Sequence, residues 1–166
     1  MFGRQNEYHF VTHWRIEGEI AEVYEVLSEP LNYPNWWKGL YLRAVELKPG
    51  DQEGVGRIVG FEMRGWLPYT LRWQLQCTET NRPYGFASDS SGDFVGRGVW
   101  TFQQDGSSVN AHFDWKVRAE KPFLRYFLLK FLFIANHNWV MKRWEESLKL
   151  ELARRHHAKD KLVKRG

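Results

Sequence analysis

The stretch SVNAHFDWKVRAEKPFLRYFLLKFLFIANHNWVMKRW, Ser108 to Trp144, carries two hydrophobic periods, one on each side of Pro122. Before the proline, Val109, Ala111, Phe113, Trp115 and Val117 alternate with Asn110, His112, Asp114, Lys116 and Arg118. Successive side chains of a strand point to opposite faces, so this spacing predicts a β-strand with one apolar side. After Lys121-Pro122 the period becomes helical and stays so for about thirty residues. Pro122 suits a first helical turn, where its missing N–H costs little. A half-apolar strand running into a long terminal helix suggests that the helix covers a sheet, and the preceding sequence must supply that sheet.

It does so in order. YGFASDSSGD and RGVWTFQQDG precede Ser108, with Asp105-Gly106 as a hairpin signal. In WLPYTLRWQLQCTE, Leu71, Trp73, Leu75 and Cys77 oppose Arg72, Gln74 and Gln76. In GVGRIVGFEMRG, Val59, Phe61 and Met63 share a face, and LYLRAVELKPGD ends at Pro49, Gly50 and Asp51, a strong turn signal. NYPNWWKGL predicts a short helical turn from about Pro34, where Trp36 and Trp37 cannot both point the same way. EIAEVYEVLSEP sets Ile20, Val23, Tyr24 and Leu27 at helical spacing before Pro30. HFVTHWRIEG opens the series as a strand with Phe10, Thr12, Trp14 and Ile16 on one side. The expected class is α+β: about seven antiparallel strands, two short helices after the first, and a long C-terminal helix packed on the apolar face. No repeat or composition shift divides the chain, so residues 1–153 read as one domain followed by a basic tail, 154–166.

Composition fits a globular domain of 166 residues, 43% hydrophobic and 27% charged. Nine Trp, seven Tyr and eleven Phe make 16% aromatic residues, enough either to fill a core or to line a cavity. One cysteine, Cys77, excludes an internal disulfide and a Cys-rich zinc site and points to a reducing, cytoplasmic setting. No secretory signal is evident at the N-terminus. The apolar run Phe123–Ala135 contains Arg125 and Lys130 and falls short of the ~20 residues of a membrane span. Net charge is +4, but much of the excess lies in RRHHAKDKLVKRG and no nucleic-acid motif accompanies it, so neither nucleic acid nor stable membrane insertion is expected.

Several local words, in this order, carry a family resemblance: WWKGLYLRAVEL, PGDQEGVGR, GWLPYTLRWQLQ, GDFVGRGVWTF, FDWKVRAEKPFLR and NHNWVMKRWEESLKLEL. From about residue 8 to 153 the chain resembles bacterial proteins of the SRPBCC superfamily, the START-like or polyketide cyclase/dehydrase-like group. That resemblance implies a helix-grip fold, in which a curved antiparallel sheet wraps the long helix and encloses a cavity. It also implies binding of lipids, sterols, polyketides or other apolar molecules, with cyclisation or dehydration in some members. It carries no shared catalytic signature, so no catalytic residue transfers.

On the long helix, Phe127, Phe131 and Ile134 define an inward stripe, and Met141, Trp144, Leu148 and Leu152 a second one displaced around the axis. The predicted drift centres on Asn136-His137-Asn138. His137 projects with Met141, Trp144 and Leu148; Asn138 falls near Ile134 and Met141; Asn136 projects to the opposite side, facing solvent or bonded to a neighbouring loop. His137 is either a core-edge histidine bonded to the sheet or a cavity group that orients a ligand or moves a proton, and it is the weak catalytic candidate. The residues expected to line a ligand site are Trp36, Phe61, Met63, Trp73, Trp100, Phe113, Trp115, Ile134, His137, Asn138, Met141 and Trp144. Asp114, Glu62 and Arg72 read as an outer, solvated face. His9, His13 and His112 have no metal-ligand spacing, Cys77 reads as an inert small hydrophobe, and neither metal nor cofactor is expected. GDFVGRG lacks the Lys-Ser/Thr of a phosphate loop, and its glycines suit a turn or bulge.

Three functions stay open at this level. One is a binder of a small hydrophobic or aromatic, lipid- or polyketide-like molecule. Another is a cyclase or dehydratase using the same cavity. The last is a peripheral membrane or protein partner docking through the basic tail and the Phe123–Phe133 segment.

Overall fold

Gln104 ties together the parts that begin the fold. Its Oε1 accepts from the Ile20 backbone N–H (2.8 Å), while its Nε2 donates to the carbonyls of Gly18, Gly106 and Ser108. One side chain thus caps the first helix and fastens it to the hairpin on which the sheet is built. In the computed structural model, residues 7–64, 70–119 and 127–163 are described, with side chains in the last helix described from 132 to 161.

Among these residues the elements are β1 (Glu7–Glu17), α1 (Ile20–Leu27), a 3-10 turn (Pro30–Asn32), α2 (Tyr33–Trp36), β2 (Tyr41–Lys48), β3 (Ile58–Met63), β4 (Leu71–Asn81), β5 (Gly85–Gly92), β6 (Phe94–Asp105), β7 (Ser108–Ala119) and α3 (Phe127–Val163). The strands form one antiparallel sheet in the order β1-β7-β6-β5-β4-β3-β2. The first strand therefore pairs with the last, from Glu7↔Arg118 to Glu17↔Ser108. The helices α1 and α2 carry the chain across to the opposite edge, where β2 begins.

The alternation read from the sequence holds in β1, β3 and β7. Tyr8, Trp14 and Ile16 of β1, Val59, Phe61 and Met63 of β3, and Val109, Ala111 and Val117 of β7 are buried, with the residues between them more exposed. The inner face meets α3 through large rings. Trp144 packs against Trp14 of β1 (centroids 5.2 Å), Trp100 of β6 (5.4 Å) and Trp37 beside α2 (4.2 Å, nearly parallel). Phe133 packs on Tyr8 (4.7 Å) and Phe94 (5.8 Å). Buried rings of this size supply most of the apolar area that holds sheet and helix together.

Three expectations are refined here. The basic segment from residue 154 is not separate from the helix: α3 continues to Val163, with residues 153–161 largely exposed. Glu151 pairs with Arg154 and Arg155, and Glu22 of α1 receives His156 Nε2 and Lys159 Nζ, both at 2.6 Å. Four side chains of that segment thus find partners on the helix itself and on α1. Of the glycines of GDFVGRG, Gly92 takes the turn between β5 and β6 (φ +99), as expected, whereas the other two are neither turn nor bulge residues. Gly96 and Gly98 pair regularly on both sides within β6. A Cβ at Gly96 would stand 2.0 Å from the Lys116 carbonyl oxygen, and one at Gly98 would stand 2.9 Å from the Phe113 ring, so close approach is what requires them. Finally, the inward stripe of α3 does not run through Ile134, which is 37% exposed; Phe133, Asn136, His137, Val140, Met141, Trp144, Leu148 and Leu152 are buried. Phe127 and Phe131 lie outside the described side chains.

Candidate functional site

Where α3 passes over the sheet, the rings leave a cavity of about 90 Å³. Its walls come from α2 and its flank (Tyr33, Trp37, Tyr41), from the inner faces of β3 to β7, and from α3. Among the described residues, the lining contains no Asp, Glu, Lys, Arg or Cys. Its polar groups are the hydroxyls of Tyr33, Tyr41, Ser88 and Ser90, the Asn136 amide, the His137 imidazole and the indole N–H groups.

His137 is 7% exposed and lies flat on Phe10, with ring centroids 3.7 Å apart and planes at 24°; Trp115 is next, at 5.4 Å. No protein group among the described residues hydrogen-bonds the imidazole. Burial removes water from the charged form and pushes its pKa down to about 4, so the ring is neutral at pH 7. A neutral imidazole offers one donor and one acceptor. Trp144 is 6% exposed, and its Nε1–H is buried without a hydrogen-bond partner among the described residues. Ser90 donates weakly to the Gly96 carbonyl (3.4 Å), whereas the buried Ser88 hydroxyl makes no side-chain hydrogen bond among the described residues. Trp73 Nε1–H points at Met63 Sδ (3.1 Å). The Tyr33 hydroxyl donates to the Leu27 carbonyl (2.5 Å), and burial raises the pKa of both Tyr33 and Tyr41 far above the usual phenol value. Neither phenol is an acid at neutral pH.

Comparison of the sequence with family models and with curated proteins yields no match. Solved structures do match the fold. The Zhui aromatase/cyclase from Streptomyces sp. R1128 superposes with a TM-score of 0.68 at 15% identity, over 90% of this chain and 95% of that one. A START superfamily protein from Mycobacterium smegmatis gives 0.69 at 8% identity, over 88% and 97%. A conserved protein from Geobacillus kaustophilus gives 0.69 at 9% identity, over 89% and 96%. The fold is the START-like helix grip. At these identities the likeness concerns the fold alone.

Within this START-like frame, the structure brings together eight of the twelve residues that the sequence nominated: Met63, Trp73, Trp100, Phe113, Trp115, His137, Met141 and Trp144 all line the cavity. Four do not. Phe61 is buried behind the wall, against Tyr33 (6.0 Å), Tyr41 (5.0 Å) and Trp73 (5.0 Å). Trp36 stacks on the outside of Trp37 (5.9 Å), so of the adjacent pair it is Trp37 that turns inward. Ile134 and Asn138 are exposed on the outer side of α3, whereas Asn136, expected on the opposite side, is 6% exposed and lines the cavity. The stripe had been centred one residue too far round the helix. Anchored on Phe133 rather than Ile134, 100° steps put Asn136 at the inner edge and Asn138 outside.

Sequence reasoning also passed over Tyr33, Tyr41, Phe86, Ser88, Ser90, Phe94, Phe133 and Val140. Signals existed for some of them. Tyr33 and Trp37 are four residues apart, as one helical face requires, and Phe133, His137, Val140 and Trp144 follow steps of four, three and four. Ser88 and Ser90 gave no signal, because polar residues at inward strand positions hide the alternation. On the outer face, His9 meets Asp114 (2.8 Å), Arg72 meets Glu62 (3.2 Å), and His13 Nδ1 lies 3.2 Å from His112 Nδ1. These groups stand across the sheet from the cavity, as the sequence led us to expect. Among the described residues no group of three or more His, Cys, Asp or Glu is arranged to hold a metal ion. Nor is any described helix long and apolar enough to cross a membrane.

Proposed function

We propose that the chain binds a small hydrophobic or aromatic molecule in the cavity between sheet and α3. The observation that carries this reading is the Trp144 Nε1–H, buried without an acceptor among the described residues in an aromatic wall that also holds a neutral His137 to which no described residue hydrogen-bonds. A buried donor without an acceptor costs about 1–3 kcal/mol, and a bound molecule with an acceptor group would remove that cost. Burial of apolar surface would supply most of the affinity, and Trp144, His137 and Ser88 would set orientation. His137 would act here as a hydrogen-bonding group.

The cyclase reading draws on the same START-like fold, since one structural neighbour is an aromatase/cyclase. Its chemistry is less well served by this site. A base with a pKa of about 4 accepts protons weakly at pH 7, and the described lining offers no carboxylate to work with it. Docking through the tail and the Phe123–Phe133 segment draws less support still. Arg154, Arg155, His156 and Lys159 are engaged on α3 and α1, and most of the Phe123–Phe133 segment lies outside the described residues.

Titration with toluene followed by tryptophan emission, and thermal melting with indole and toluene, test the binding reading. Saturable quenching by toluene with a rise in Tm is the expected result. Unchanged emission with toluene and unchanged Tm with both compounds at millimolar concentration would overturn it. Native mass spectrometry of the purified protein then identifies any natural occupant.

A further inference from the structure

Resting on that binding reading, a second chamber defines what kind of molecule the site takes. The apolar cavity of about 90 Å³ is small beside the ~300–1,000 Å³ of typical ligand pockets, and it admits roughly one aromatic ring or a short branched chain. Behind it lies an open hollow of about 390 Å³ between α1, the 3-10 turn and the 49–57 connection. The two share one wall, made of Tyr33, Leu75, Phe86 and Ser88.

The members of that wall differ in freedom. Tyr33 is locked by its hydrogen bond to the Leu27 carbonyl. Phe86 is half-buried, edge-on to Tyr24 (5.8 Å) and tilted against Phe102 (6.1 Å). Ser88 is 6% exposed and borders both chambers, and its hydroxyl makes no hydrogen bond among the described residues. The hollow also differs in charge from the protein as a whole. It presents four carboxylates, on Glu29, Glu46, Asp51 and Glu53, against two guanidiniums. Arg57 is already clasped by Glu29 (3.0 Å) and Glu46 (2.6 Å), and Arg82 by Glu25 (3.0 Å). In a chain of net charge +4, this pocket is negative.

We infer that the ligand is amphipathic: a single apolar ring or branched end in the cavity, a hydrogen bond to Ser88 at the junction, and a cationic head in the carboxylate-lined hollow, with Phe86 as the gate between them. Shape supplies the division into two parts, and charge decides the sign of the head.

Isothermal titration with 4-phenylbutylamine, 4-phenylbutyrate and toluene tests this. The amine should bind at least tenfold more tightly than the carboxylate, and the gap should narrow in Glu53→Gln and at high salt. Ser88→Ala should weaken the amine three- to fivefold more than it weakens toluene. Phe86→Ala should admit the amine's naphthyl homologue, which the parent protein excludes. Should Phe86→Ala fail to fold, the Ser88 and Glu53 variants still decide the matter. If toluene binds while amine and carboxylate bind equally, the two-chamber inference is wrong and the cavity reading stands. If none of the three binds, both fall.

Discussion

At His137 the imidazole has exchanged water for the faces of Phe10 and Trp115, and the exchange favours its neutral form. In the unfolded chain the group titrates near 6.5, and in the folded chain near 4. Between those values the unfolded state holds the extra proton, so folding stability should fall as pH drops from about 6.5 to about 4, then level off. The loss amounts to about 3 kcal/mol. His137→Phe should erase this slope while keeping the fold, as urea melts at stepped pH would show; an unchanged slope would assign the pH dependence to other groups. Trp144 makes a complementary case. Trp144→Phe loses ring contacts but also removes an orphaned donor, so apo stability should change by no more than about 1 kcal/mol. Indole or toluene derivatives bearing an acceptor should bind five- to tenfold less tightly, read by calorimetry. His137 was legible in the sequence because a polar residue on an apolar stripe stands out. The Trp144 N–H was not, because partnering depends on which atoms surround it.

At the scale of the element, α3 shows both what periodicity reveals and where it stops. The change of period at Pro122 identified the helix, since burial of one face imposes the 3.6-residue repeat. Its rotation was harder to read. The apolar Ile134 and the polar Asn136 exchange the roles their side chains suggest, because the cavity tolerates an amide and the outer surface tolerates one isoleucine. The helical form of the last turns was not legible for a related reason. Charge density alone reads as solvation, and these residues are largely exposed, but Glu22 and Glu151 also supply specific partners. Glu151 is 8% exposed, and the Arg154 and Arg155 hydrogen bonds pull its carboxyl pKa down to about 2. Its contribution should therefore be present above about pH 4.5 and be lost as pH falls toward 2. Glu22→Ala should speed amide exchange in residues 155–163 with little change in global Tm, because the pairs it breaks are largely exposed. Unaltered exchange there would mean that the end of α3 is held by other contacts.

Across the whole molecule, the inward rows of β3, β4, β6 and β7 named most of the sheet's share of the cavity, because alternation is a local property. Whether those rows meet the helix fully or leave a gap depends on how two surfaces approach, and no local pattern carries that. The cavity and the core are thus the same cluster of rings, filled to slightly different degrees. Val140→Phe, at the cavity wall, should hold Tm within a few degrees or raise it while abolishing uptake of toluene. Retained uptake would place the bound molecule elsewhere. The clustering of indoles around Trp144 has one more consequence, and it is optical. Trp37 lies nearly parallel to Trp144 at 4.2 Å, and Trp14 and Trp100 stand within 5.4 Å of it. Transition dipoles that close couple, so their near-ultraviolet circular dichroism should show a paired positive and negative band, and excitation should migrate among the four rings. A molecule that touches one indole would then alter the emission of all of them, which makes the chain its own spectroscopic sensor of occupancy.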